Sequence, residues 1–180
     1  MKKSSIALFF LAILIMVFFA IYNSISFKVM FFRDFYSDIF RSEFDVTTLG
    51  STVRVPLTSK FDVEHGFLLS IPRTGNDLTP KIVLNGELRY RFVVNEEVLR
   101  EGYFAPIKRR YARRNENEFF FPLFYFDLPF DRRGEPVQLE VTVTSPMTVL
   151  KEFRGDIFCS VRPTYSIKNG EQKRMLGIYY

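Results

Sequence analysis

From Ile6 to Ile21 every side chain is apolar, and no charge occurs between Lys3 and Lys28. An α-helix rises about 1.5 Å per residue, so the stretch from Ser4 to Phe27 is long enough to cross a hydrocarbon core of about 30 Å. The run is expected to be a transmembrane helix, with Ile6, Leu14 and Ile21 marking its start, middle and end. A cleaved signal peptide shares the basic start and apolar middle. Cleavage, however, needs small residues ahead of the cut, and Phe18, Phe19, Ile21 and Tyr22 crowd the one candidate, Ala20. The segment is therefore expected to remain as an anchor over residues 1–27. Lys2 and Lys3 favour a cytoplasmic N-terminus by the positive-inside rule, against Lys28, Arg33 and Arg41 on the other flank. The expected location is the bacterial inner membrane, single-pass, with the following domain in the periplasm or outside the cell.

Beyond the run, Val29, Phe32, Phe35, Tyr36, Ile39 and Phe40 recur at spacings of three and four, with charged and small polar residues between them. This period predicts an amphipathic juxtamembrane helix over 28–43, packed on the next domain or lying among lipid headgroups. Roughly 150 residues remain, the usual size of one domain. The chain is 47% hydrophobic and carries 22 Phe, enough apolar surface to fold.

From Phe44 onward the period shortens to two. Val53, Val55 and Leu57 alternate with polar neighbours, and so do Val137, Leu139, Val141 and Val143; a period of two places each set on one face of a strand. Gly66 to Ile71 is a compact apolar strand, followed by a loop from Arg73 to Pro80. Leu88 to Val94 and Val98 to Tyr103 flank Asn95-Glu96-Glu97, which predicts a hairpin with Asn95 in the left-handed region. Pro122 interrupts the aromatic stretch Glu118 to Phe130, so that strand is expected at an edge or broken. Further strands are expected over 153–161, 165–167 and 175–180. The expected architecture is all-β: an antiparallel sandwich, Ig-like or jelly-roll-like, over 44–180, with a partly open barrel as the alternative.

The openings Phe44-Asp45-Val46, Gly50-Ser51-Thr52-Val53 and Gly134-Glu135-Pro136-Val137-Gln138-Leu139-Glu140-Val141 resemble those of a family of uncharacterised bacterial cell-envelope β-sandwich domains. The likeness covers residues 44 to 150. It implies a tethered sandwich, some relatives being interaction or immunity proteins, and it carries over no catalytic residue.

Chemistry is sparse. His65 is the only histidine and Cys159 the only cysteine, so no disulfide or Cys-x-x-Cys site can form within the chain. His65 beside Asp62 and Glu64 reads as an exposed loop rather than a metal ligand, and Cys159 in Ile157-Phe158-Cys159 reads as core. No Gly-x-Ser-x-Gly elbow or glycine-rich phosphate loop occurs. The carboxylate pairs Asp127 with Asp131 and Glu96 with Glu97 read as solvated turns. Without Lys2 and Lys3 the net charge falls from +5 to +3, too even for a nucleic-acid binder.

The densest polar feature is Lys108, Arg109, Arg110, Tyr111, Arg113 and Arg114, whose cations suit an acidic protein face or anionic lipid. Of Phe119, Phe120 and Phe121, at least one must face away from the core. The sequence thus favours a non-enzymatic, membrane-anchored module that binds a protein partner, immunity-like or assembling the envelope, with no cofactor. The alternative is an envelope hydrolase or carbohydrate-active enzyme.

Overall fold

A computed structural model describes residues 3–32, 34–58, 63–73, 82–105, 113–114, 117–127, 136–164 and 178–179. The chain divides into two compact units, Met1–Ser37 and Asp38–Tyr180.

The first unit holds helix α1, Lys3–Asn23, and helix α2, Ile25–Phe31. Among the described residues no helix is long and apolar enough to cross a membrane. The anticipated amphipathic helix over 28–43 is not formed. Phe32 already has extended backbone angles, and the Ser37 N–H closes a turn by donating to the Asp34 carbonyl at 3.1 Å. Phe40, Ser42, Phe44 and Val46 also alternate with a period of two, and that pattern wins because it has a strand to pair with. Residues Phe40–Glu43 form β1, so the β unit begins at Asp38 rather than at Phe44.

Nine more strands follow: β2 Thr52–Leu57, β3 His65–Pro72, β4 Glu87–Val94, β5 Glu97–Phe104, β6 Arg113–Arg114, β7 Glu118–Phe126, β8 Val137–Ser145, β9 Phe158–Pro163 and β10 Ile178–Tyr179. A 3-10 helix, Thr148–Phe153, occupies the start of the stretch expected to be strand over 153–161. Residues 165–167 lie outside the described residues.

The pairing follows one rule. β4 joins β5, β3 joins β7, β2 joins β8 and β1 joins β9, all antiparallel. These nested pairs make one long ribbon, bent at the β4–β5 hairpin. Its segments fall alternately into two sheets, closed by the further pairs β3–β9 and β4–β8. The resulting orders are β1-β9-β3-β7, with β6 and β10 beside β7, and β2-β8-β4-β5. This winding is the jelly roll, the second of the two sandwich topologies expected.

Local chemistry explains the corners. Asn95 and Glu96 both have positive φ, 45° and 71°, which the tight hairpin requires and which asparagine tolerates best. At the other end of β4, Gly86 has φ of 88°, and a Cβ there would sit 2.5 Å from the Ser145 carbonyl oxygen. Gly86→Ala is therefore expected to destabilise the fold by about 1–3 kcal/mol, read as a lowered denaturation midpoint in urea.

Pro122 neither ends its strand nor breaks it. The β3–β7 register jumps from Phe67 opposite Phe124 to Leu68 opposite Pro122, leaving Leu123 as the extra residue of a bulge. A bulge interrupts the ladder, so a residue without an N–H is accommodated there. It also turns two consecutive side chains inward, so Phe119, Phe121, Leu123, Phe124 and Phe126 all join the core. The inner faces interdigitate around Phe124, whose ring lies 5.2 Å from both Phe67 and Tyr90.

Candidate functional site

The jelly roll presents two outer sheet faces. On the β2-β8-β4-β5 sheet, register alone builds a charged row: Arg54 lies opposite Glu140, Glu140 opposite Arg91, and Arg91 opposite Glu101. Arg54 Nε donates to Glu140 at 2.9 Å, Arg91 to Glu140 at 3.4 Å, and Arg89 to Glu101 at 2.6 Å. The Arg89 guanidinium holds the Glu101 carboxyl below its usual range. The neighbouring row runs Thr52, Thr142, Arg89, Tyr103, with the two threonine hydroxyls 2.8 Å apart. Opposite charges alternate across four strands, and every charge in the row has a partner on a neighbouring strand. Exposed pairs of this kind add little stability, but they leave the face polar and charge-balanced.

The outer face of the other sheet is built differently. Along it, Glu43, Phe158, Ser70 and Phe120 stand in one cross-strand row, and Arg41, Ser160, Leu68 and Pro122 in the next. Leu68, Ser70, Phe120 and Ser160 are buried although they point away from the core. Part of that cover is cationic. The Arg162 guanidinium lies 4.6 Å from the Phe120 ring centroid and the Arg41 guanidinium 4.9 Å from that of Phe158, cation–π geometry in both cases. Carboxylates hold both arginines in place: Arg162 Nε lies 2.8 Å from an Asp38 carboxylate oxygen in an ion pair, and Arg41 forks onto Glu118. Burial raises the Asp38 carboxyl above its usual range, opposed by the charges of Arg162 and Arg41. Phe120 is thus the member of the phenylalanine triplet that faces outward, and it is roofed by Arg162 rather than open to solvent.

Of the basic segment, Lys108, Arg109, Arg110 and Tyr111 lie outside the described residues. Arg113 and Arg114 are β6, paired with Phe120 and Phe119 of β7. The backbone ladder therefore ties the last two cations of the segment to the outer edge of the strand that carries Phe120.

His65 requires a correction. It is not on an exposed loop but opens β3 at 0% exposure, stacked on Phe126 with centroids 6.2 Å apart. Burial pushes its pKa down to about 4, against a backbone hydrogen bond with Val63. Sequence misled here because Asp62 and Glu64 make the neighbourhood look solvated, while the strand begins one residue earlier than the apolar run does.

Cys159 is buried on β9 as expected, and burial pushes its thiol up to about 12, which suppresses the thiolate needed for nucleophilic attack. His65 pairs across from Pro163 and Leu69 from Cys159, so the two side chains are four positions apart along the ladder. At about 3.3 Å per residue that is roughly 13 Å, far beyond hydrogen-bond reach for a nucleophile and its base. The Glu64 carboxylate accepts from the Thr164 hydroxyl at 2.9 Å. Glu96 and Glu97 sit exposed at the hairpin tip, and Asp131 lies outside the described residues. Among the described residues no group of three or more His, Cys, Asp or Glu is placed to hold a metal ion.

No protein-family model matches this chain, and no curated protein matches it either.

The alternating charged row and the Arg41–Glu118 and Arg162–Asp38 pairs were not singled out from sequence. Their signal is faint. Arg54, Arg89, Arg91, Glu101 and Glu140 do occupy the polar positions of alternating strands, but only the register reveals which of them meet.

Proposed function

We propose that this chain is a non-catalytic binding module held at a bacterial inner membrane by α1, with the jelly roll outside the cytoplasm and engaging a protein partner. The observation that carries the tether is the exposure of α1: from Phe10 through Tyr22 its apolar side chains stand open on every side of the helix. A helix that is apolar all round needs an apolar surrounding, either protein or lipid. The helix is 21 residues long, and its described side chains, Phe10 to Tyr22, account for about 20 Å of axis, less than a hydrocarbon core by themselves. For the remainder the tether reading draws on the sequence, which is apolar from Ile6.

For the module, support comes from β6. The basic segment 108–114 ends on a strand edge instead of a free loop end, which fixes one side of it for recognition. Arginine forks at this density suit an acidic protein face. The wide separation of His65 and Cys159 counts against a hydrolase built on them. An immunity-like or envelope-assembling role, as the envelope-sandwich resemblance implies, is the form the reading takes.

Two measurements test it. Alkaline carbonate should leave the protein in the membrane fraction, and protease added outside the inner membrane should remove a tag fused to Tyr180. Crosslinking in intact cells should then capture a specific acidic partner that is lost when Lys108, Arg109, Arg110, Arg113 and Arg114 are all replaced by serine. Extraction by carbonate, a protected tag, or an undiminished crosslink in the serine variant would each defeat the corresponding part of the reading.

A further inference from the structure

The end of α1 is a built corner rather than a fraying terminus. Ser24 takes extended backbone angles, its N–H donates to the Ile21 carbonyl at 3.0 Å, and its Oγ accepts from the Phe27 N–H at 3.2 Å. One residue thus closes α1 and caps α2. The corner is lined with rings. Tyr22 lies 5.6 Å from Phe27 and 6.3 Å from Phe32, and Phe27 stacks on Phe31 at 4.4 Å. Yet the apolar surface does not close on itself: Met30 is 71% exposed and Phe31 67%. Lys28 stands in the same short helix.

We propose that this elbow, Tyr22 to Phe32, is a lipid-contact site that lies in the headgroup layer of the bilayer crossed by α1, with Met30 and Phe31 inserted toward the acyl chains. The inference rests on the tether reading and deepens it. A bilayer is the occupant because the exposed apolar surface of α1 runs to the Tyr22 ring, which touches Phe27 and, through it, the exposed Phe31. Whatever covers α1 therefore reaches the elbow as well. The residue types fit the boundary between hydrocarbon and headgroups: aromatic rings favour that layer, methionine and phenylalanine gain by leaving water, and a lysine stem can lie along apolar surface while its ammonium meets phosphate. The extended backbone angles of Ser24 end α1 there and start a separate short helix, so the chain is free to leave the α1 axis, as a segment running along the surface requires.

The chain contains no tryptophan, so single-tryptophan variants report depth without background. The full chain is reconstituted in phosphatidylcholine–phosphatidylglycerol vesicles as Phe31→Trp, Met30→Trp and Leu14→Trp. Among the described residues Met30 is the most exposed side chain of the elbow, so Met30→Trp controls for any change that Phe31→Trp makes in the Phe27–Phe31 stack. Emission from Phe31→Trp and Met30→Trp should be blue-shifted. It should be quenched several-fold more by lipids brominated near the headgroup end of the acyl chain than near the methyl end. Leu14→Trp should show the reverse order. If the two elbow variants are quenched by aqueous iodide and by neither bromolipid while Leu14→Trp is quenched in the bilayer core, the elbow inference falls and the tether stands. Blue-shifted elbow emission with no bromolipid quenching would assign the surface to protein, for example a second copy, and would also overturn it. Loss of core quenching for Leu14→Trp would remove the tether and the elbow together.

Discussion

Phe124→Ala is expected to lower the stability of the β unit by about 3–5 kcal/mol. Phe124 has no exposed surface, and its ring sits among Phe67 and Tyr90 at 5.2 Å, Phe104 at 5.9 Å and Phe126 at 6.0 Å. It therefore bridges both sheets, and truncation would leave a cavity walled by rings that strand pairing holds apart. Since a domain of this size is stable by about 5–15 kcal/mol, the loss is a large share of the whole. Tyr103→Ala supplies the contrast. Tyr103 is 56% exposed on an edge strand, and its loss is expected to stay within about 0.5 kcal/mol. Urea unfolding followed by tyrosine fluorescence in the first variant, and by circular dichroism in both, measures the difference. Equal midpoints for the two variants would contradict the core described above.

Acid is expected to weaken the fold through His65. Its unperturbed value is 6.5 and its folded value about 4. Above pH 6.5 the imidazole is neutral in both states and contributes no pH dependence. Between those two values the unfolded chain takes up a proton that the folded chain refuses, so stability falls as pH falls. The full loss is about 3 kcal/mol, complete once pH drops below the folded value. Asp38 acts in the opposite sense, because burial raises its folded pKa, so its share of stability falls as pH rises through its own range. Asp45 adds to the acid loss, but only at lower pH. Its carboxylate accepts from the Thr47 and Thr48 hydroxyls and is held below 3.8. The check is the shift in urea midpoint between about pH 7 and about pH 4.5 for the wild type and for His65→Gln, which cannot titrate. The variant should be markedly flatter; parallel curves would mean that His65 is not the group responsible.

Strand content was legible wherever alternation was clean. Val53, Val55 and Leu57 share one face, as do Val137, Leu139, Val141 and Val143, and the Asn95 turn is where the left-handed residue was expected. Local pattern failed in two places, for one reason. Phe40 fits a helical stripe and a strand equally well, and only the presence of β9 decides. His65 looks solvated beside two acidic residues, and only the start of β3 beneath Phe126 buries it. Both outcomes depend on partners more than fifty residues away in sequence, which no window of neighbours contains. The winding belongs to the same class, because alternating strands are common to every sandwich and the nesting of pairs is what makes this one a jelly roll. For the site, composition located the basic segment but could not attach it to β7, nor foresee that Phe120 would be roofed by Arg162.

The nested ribbon also makes the two ends of the β unit answerable to each other. Because β9 stands between β1 and β3, trimming the chain before Phe158 does more than shorten it. It leaves Phe40–Glu43 without their ladder partner and exposes the flank of β3. Trimming past Glu43 from the other side lays bare the flank of β9. Among the described residues β1 has no ladder partner but β9, so a cut into either one from its own end of the sequence takes away the mate of the other.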